Sequence, residues 1–568
     1  MSKVMTIEDA VASYVQPGMK VYMSEATQAA VRAMIRVYRG APAGLHIVAV
    51  RGGEIVPDLV AAGLVSEITV ASLTNTAVYT GRIAALQHMR AEGVRLTSSS
   101  LYVLTLRLMA AGLSWPFIPL GDAAAESALE GDAGAGIHLV DLPVAGGTAR
   151  VALPLHTDVA VLHALAADEH GHAVVSPPYA DGVWGSRSAS TGVIVTTERL
   201  VPSTEVRKYS HYVKIPATRV LAVCETPFSG YPFGFNAIVP GLDMGYSPDT
   251  EGMLAYGAAA RTLEAHRRLV SPEVLRASEA EYVAQLPGAG LADARSGFAA
   301  RARAGQRARN GTLSRPVREK APRELAALAP PERMALVGAR VILDAVQRRA
   351  IRTVLVGNGS PGVACAIAQS VLRDQGVEVS FVLGTGMIDL DLTRIGRAYE
   401  MGSSHALSDT VDAYGTMIAG PRAHSLGILG AAQIDRFGRV NTSFGRGGQQ
   451  VLAGSGGAAD VATLSTEVLV IVPNRPGRFV REVDYVTAPS TRLSCVISDF
   501  GFLEPTGPGR ELMVTRRFGS DADLRDVARR IECEVGWAMD IKRALDAPPE
   551  PPASPEELGL LAAALGRN

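Results

Sequence analysis

Apolar positions fall along the chain in two alternating rhythms. Short runs such as KVYMS (20–24), GLHIVAV (44–50), EITVASL (67–73) and VRLTSSS (94–100) are apolar over too few residues for a helix, and turn formers or charged residues bound them. They read as buried strands. Between and after them the spacing changes. QAAVRAMIRVYRG carries Ala30, Met34 and Val37 at helical intervals and stops at Gly40, and LYVLTLRLMAAGL (101–113) reads as a further helix. Strands that alternate with helices predict a largely parallel sheet covered on both faces.

The rhythm restarts near residue 351. RTVLVGNGSPGVACAIAQSVLRDQG (352–376) is again strand, glycine turn and helix, and VEVSFVLGTG (377–386) supplies the next strand. One stretch of each half aligns without gaps. VAVLHALAADEHGHAV (159–174) lies over LGILGAAQIDRFGRVN (426–441), sharing Leu162/Leu429, Ala164/Ala431, Asp168/Asp435 and Gly171/Gly438. Each is an apolar strand, a small-residue bend and Asp-x-x-Gly. This predicts a tight turn whose Asp binds turn amides and whose Gly supplies an unusual φ. An internal duplication follows, and the fold class expected is α/β.

The chain has 568 residues, enough for two large domains at roughly 150 residues or more each. A hydrophobic content of 47% excludes a mainly disordered protein. Lys plus Arg number 55 against 56 acids, a net charge of −1, and aromatics are only 5%. Neither a nucleic-acid partner nor a base- or sugar-stacking surface is expected from such a balance. Cys224, Cys365, Cys495 and Cys533 show no pairing motif, which excludes a disulfide scaffold. The start MSKVMTIEDAVASYVQPGMK has no apolar leader region, and no apolar run is long enough to span a membrane. The expectation is a cytoplasmic enzyme with no membrane partner. Between the halves, 292–324 carries Arg301, Arg303, Arg307, Arg309, Arg315 and Arg318 with few acids. It reads as a solvated linker or tethered helix, with phosphate binding as the alternative. The expected division is 1–290, a linker over 291–330, and 331–568.

Glycine-rich turns carry the candidate chemistry. V-G-N-G-S-P-G places Gly357, Asn358 and Gly359 between a strand and a helix, where exposed amides favour negative charge. No Walker lysine follows it, and the next strand ends in glycine rather than in a ribose-binding acid, so a nucleotide site is not expected. L-G-T-G (Gly384, Thr385, Gly386) and A-G-S-G-G (Ser455, Gly456, Gly457) are further close-approach turns, each also readable as an ordinary connection. Together they point to one crevice at a sheet's carboxyl edge and to substrate or oxyanion binding there. GFLEPTGPGREL (501–512) reads as a surface β-turn. His156, His163, His170 and His172 are irregularly spaced, and no metal site is expected.

QIDRFGRVNTS (433–443) followed by GSGGAADVATLSTEVLVIVP (454–473) resembles the β half of family I coenzyme A-transferases of the glutaconate type. LTLRLMAAGLSWPFIPL (104–120), DVAVLHALAADEHGHAV (158–174) and VIVTTERLV (193–201) resemble the α half. The resemblance implies α and β fused in one chain, two domains each with a mainly parallel sheet and flanking helices, and an active site between them. It implies acyl-CoA as substrate, a carboxylic acid acceptor, coenzyme A as part of the substrate with no resident cofactor or metal, and assembly as a homodimer. The family's nucleophile is a glutamate at the end of the second β-half strand, which forms a glutamyl-CoA thioester.

Here the matching position reads Gly384, with Leu383 and Thr385 beside it and Asp389 as the nearest carboxylate. Relatives without the glutamate include hydrolases that open a ring in a steroid-derived CoA thioester with an α-half base. The corresponding strand end here is Thr97-Ser98-Ser99-Ser100, without an acid. The candidates for the missing group are Glu25 after the first strand, Glu54 after Gly52-Gly53, Asp389, and His405 in MGSSHALSD. Glu25 reads either as a base of raised pKa or as a helix N-terminal acid. The expected function is an enzyme acting on an acyl-CoA thioester without the usual glutamyl intermediate. The alternatives are a true transferase with its carboxylate on another loop, and a non-catalytic acyl-CoA binder.

Overall fold

The structure is a computed structural model that describes residues 2–74, 83–142, 147–307, 313, 321–357, 359–394, 403–421 and 423–566. Seven strands form the first sheet: β1 (Lys20–Met23), β2 (Leu45–Arg51), β3 (Val65–Ser72), β4 (Arg95–Ser98), β5 (Thr157–Ala164), β6 (Ala189–Thr197) and β7 (Val220–Glu225). Their order is β7-β6-β5-β1-β2-β3-β4, and every pairing is parallel. The chain runs outward from β1 to β4 and then returns to the other side of β1. The crevice between β1 and β5 is therefore a topological switch point, where strand ends and their loops diverge. Val and Ile dominate these strands because helices such as α1 (Gln28–Val37) and α2 (Leu101–Gly112) cover both faces. Ser100 caps α2 by accepting from the Val103 amide.

The second sheet has nine strands: β8 (Thr353–Leu355), β9 (Ser380–Leu383), β10 (Met387–Leu390), β11 (Ser404–Leu407), β12 (Ser425–Leu429), β13 (Glu467–Ile471), β14 (Leu493–Ser498), β15 (Gly501–Thr506) and β16 (Glu511–Arg517). Five central strands, β9-β8-β12-β13-β14, run parallel, with a second switch point between β8 and β12. Antiparallel strands extend both edges. The parallel centre agrees with the α/β expectation. The surface turn expected over 501–512 is narrower: Gly501–Thr506 is strand β15, buried at its start, and only residues 507–510 make the tip of the β15–β16 hairpin.

The duplicated turn is built as its sequence predicts. Asp168 Oδ1 accepts from the His170 and His172 amides at 3.0 Å each, and Asp435 Oδ1 accepts from the Phe437 and Arg439 amides at 3.0 and 3.1 Å. Gly171 and Gly438 have φ of +102° and +77°, a region that only glycine enters freely.

The Arg-rich stretch begins as a helix, α3 (Gly288–Arg307), that lies on the first half. Arg295 pairs with Glu198 at 2.5 Å, Arg301 bonds Ser247, and Arg303 pairs with Asp243. Arg307 and the later arginines of the stretch up to Arg318 fall outside the described side chains. Leu313, Leu325 and Leu328 already pack in the core of the second half, ahead of its first long helix, α4 (Pro330–Arg349). Among the described residues no helix is long and apolar enough to cross a membrane.

The halves meet through their backbones. Leu73 N donates to Ala453 O, Gly456 N to Ala71 O, and Leu101 N to Gly456 O, at 2.8 to 2.9 Å. Tyr179 N donates to Ser408 O at 2.8 Å, and Thr410 N to Ala180 O at 3.1 Å. The carboxyl edge of the first sheet is thereby tied to the glycine turns of the second.

Candidate active site

The loops after β1 and β2 bring two of the expected acids together around an arginine that closes β2. Arg51 Nε lies 2.8 Å from Glu25 Oε1, and its terminal nitrogen lies 3.4 Å from Asp181 Oδ1. The Tyr22 hydroxyl donates to the other Asp181 oxygen at 2.6 Å. Glu54, three residues beyond Arg51, feels both Arg51 and Glu25. Burial raises its carboxyl, Glu25 pushes it further and Arg51 opposes, leaving it at about 8. Burial, and after it the charge of Asp181, also push Glu25 upward, against the pull of Arg51. Yet 56% of the Glu25 side chain is open to solvent, and the direct ion pair with Arg51 favours its charged form. Neither Arg51 nor Asp181 stood out in the sequence. Arg51 was hidden at the end of an apolar run, and Asp181 lies in a loop without a motif.

Across the junction, β9 ends in the L-G-T-G turn. A Cβ built on Gly384 would stand 2.5 Å from the Tyr414 hydroxyl and 2.9 Å from its ring, and one built on Gly457 would collide with the same hydroxyl. Tyr414, 2% exposed, belongs to a π-helical turn over Asp412–Ile418 and stacks at 5.7 Å on Tyr102 of the first half. Such turns are rare and recur at functional sites. No motif announced this residue.

The glycine loops are partly committed. The Gly386 amide donates to Leu383 O at 3.0 Å and the Gly456 amide to Ala71 O at 2.8 Å, so neither N–H is free for an oxyanion. Gly357 fits tightly under Ile428 O, Gly359 caps the following helix (Ser360–Asp374) with φ +77°, and Asn358 lies outside the described residues. What the loops leave unpartnered are hydroxyls: Thr385 Oγ1 and Ser455 Oγ, together with Ser98 and Ser99 Oγ at the end of β4. Ser98, Ser99 and Ser455 are all at least nine-tenths buried. Burying a hydroxyl without a partner costs free energy.

Asp460 joins the halves beneath this region. Wholly buried, it accepts from Ser100 Oγ at 2.5 Å and from the Tyr102 amide at 3.0 Å, both at the start of α2. Burial raises its carboxyl to about 7, against the pull of these two donors.

The remaining candidates make no hydrogen bond or ion pair with Glu25 or Glu54 among the described residues. His405 is exposed and its Nδ1 meets the Asp389 carbonyl at 3.0 Å. Asp389 sits in the β10 hairpin at φ +53°. Of the four spaced histidines, only His163 is deeply buried, held between Thr196 and Glu198 at 2.9 Å each. Among the described residues no three His, Cys, Asp or Glu converge as a metal site.

No protein-family model matches the chain. Over 267 residues it is 26% identical to an uncharacterized protein of Archaeoglobus fulgidus, a match taking in 46% of this chain and 57% of that protein, little more than half its length. Over 182 residues it is 28% identical to one of the subunits of a 3-oxoadipate CoA-transferase of Pseudomonas knackmussii, covering 28% of this chain and 68% of that polypeptide. Among solved structures, the apoenzyme of the acyl-CoA transferase YdiF from Escherichia coli O157:H7 superposes with a TM-score of 0.61 at 14% identity, over 96% of this chain and 93% of that one. The fold is that of the family I coenzyme A-transferases. A second structure of the same E. coli enzyme, a thioester complex with CoA, matches with a TM-score of 0.62 at 14% identity over 96% and 94% of the two chains. The coenzyme A-transferase fold thus spans both sheets, and the acid cluster and the glycine turns lie where they meet.

Proposed function

We propose that this chain is an enzyme acting on an acyl-CoA thioester through acid–base chemistry supplied by the first half, without a nucleophile at the end of β9. One observation carries the reading: Glu25 and Glu54 share Arg51 at the carboxyl edge of the first sheet, while β9 ends in a glycine whose side-chain space Tyr414 fills. The fold supports the substrate class, since one similar structure is a thioester complex with CoA. Two carboxylates whose proton affinities are pushed apart can divide the work. Ionised Glu25 would take a proton from water or from carbon beside the thioester, and Glu54, protonated near neutrality, would give one to the leaving group. Coenzyme A enters as part of the substrate, and water receives the acyl group as CoA leaves as the free thiol; in the transferase alternative a carboxylic acid receives the CoA instead.

The test incubates the protein with acetyl-CoA and with a dicarboxylic acyl-CoA, follows free thiol, and treats parallel samples with borohydride. Turnover with no covalent adduct, with one product oxygen drawn from labelled water, is the expected result. A second reading is a true transferase with Glu25 as nucleophile, favoured by its open, arginine-paired carboxylate. A CoA adduct that maps to Glu25 would establish that reading and overturn the first. Saturable binding without turnover would overturn both.

A further inference from the structure

The space beside Gly384 is filled by another side chain of the same protein. Two glycines from different loops, Gly384 after β9 and Gly457 before the helix Ala458–Leu464, both yield to one phenol oxygen. Neither glycine is needed for its backbone angle: Gly457 has φ −92°, and Gly384 has no positive φ. Their lack of a side chain is explained by the Tyr414 hydroxyl alone. Tyr414 is carried there by a π-helical turn, which costs regular hydrogen bonding, and its ring rests on Tyr102 of the other half. Thr385 follows Gly384 and Ser455 lies two residues before Gly457, and the hydroxyls of both are buried without a partner.

We propose that the Tyr414 hydroxyl, held between Gly384 and Gly457, donates a hydrogen bond to the thioester carbonyl oxygen of a bound acyl-CoA. This inference rests on the acyl-CoA reading above and assigns its reaction centre. A phenol in this place is a donor and not a nucleophile. Burial first, and then the nearby charge of Asp460, push its ionisation well above the ordinary tyrosine range, so it keeps its proton. A neutral donor in a water-poor site polarises the carbonyl and stabilises negative charge as it develops on oxygen. No covalent bond to the protein is formed in this role.

The test compares two probes that differ only at the carbonyl: acetyl-CoA and the thioether S-ethyl-CoA. Wild-type protein is expected to bind acetyl-CoA about five- to tenfold more tightly, the range of one neutral hydrogen bond. In Tyr414→Phe that preference falls to within about twofold, because only the hydroxyl is lost. Carbon-13-labelled acetyl-CoA provides an independent readout: its carbonyl stretch shifts to lower frequency on wild-type protein and returns toward the free value on the variant. Equal binding of the two probes to wild type, a preference retained by Tyr414→Phe, or an unshifted wild-type stretch overturns the proposal. An unshifted wild-type stretch overturns the proposal even if the variant fails to fold. If neither probe binds at all, the acyl-CoA reading itself falls, which separates the two failures.

Discussion

The two halves make the same turn from the same residues and then diverge at their strand ends. Asp168 and Asp435 hold equivalent amide pairs, and Gly171 and Gly438 take the same side of φ space. A few strands away the first half gathers Glu25, Arg51, Glu54 and Asp181, whereas the second offers Gly384, Thr385 and the Tyr414 phenol. The difference teaches that one scaffold separates its tasks. Parts that hold strands together tolerate little change, while loops at the carboxyl edge can exchange charge for neutral donors without disturbing the sheet.

The largest effect expected from breaking this contrast is kinetic. Glu25→Gln removes the charge paired with Arg51 and should lower acyl-CoA turnover by about 10²- to 10⁴-fold, the usual contribution of an acid–base group. Steady-state thiol release at neutral pH measures it, and unchanged turnover removes Glu25 from the mechanism. Next comes the attempt to make the halves alike. Gly384→Glu forces a Cβ to 2.5 Å from the Tyr414 hydroxyl, and it should destabilise the fold by about 1–3 kcal/mol. Adding Tyr414→Ala should recover part of that loss, so thermal melts of the two singles and the double should be non-additive. Additive melts would show that Gly384 and Tyr414 are independent.

The smallest effect is a pH slope. Folding raises Glu54 from 4.5 to about 8 and Asp460 from 3.8 to about 7. Each binds its proton more tightly when folded. Their contribution is therefore complete below pH 4 or so, and is lost as pH climbs toward 7 for Asp460 and 8 for Glu54. Glu54→Gln should flatten the upper part of this fall in melting temperature between pH 5 and 8, and Asp460→Asn the lower part. Identical slopes in wild type and both variants would exclude these groups as its source.

Much of this architecture was legible before the coordinates. The apolar runs at 20–24, 44–50 and 67–73 became strands, because burial on both faces of a parallel sheet leaves little room for polar residues. The Asp-x-x-Gly repeat was readable because a local turn is specified by residues close in sequence. Glu25 and Glu54 were legible as acids at strand ends, but their shared partner Arg51 was not, since pairing across two loops leaves no local pattern. Tyr414 was invisible for the same reason. Its meaning comes from two glycines brought to it by folding, 30 residues before it and 43 after it in the chain. The antiparallel β10 and β11 strands also went unread, their residues being too short a run to show alternation.

The seam between the sheets has a consequence for how a ligand enters. Main-chain hydrogen bonds cross it at Leu73, Gly456, Leu101, Ala128, Tyr179 and Thr410. Swinging the two bodies apart would strip those amides and carbonyls of their mates in a place with little water to replace them. On the acyl-CoA reading proposed above, a long pantetheine arm would then enter by side chains and surface loops yielding, with the seam itself staying shut.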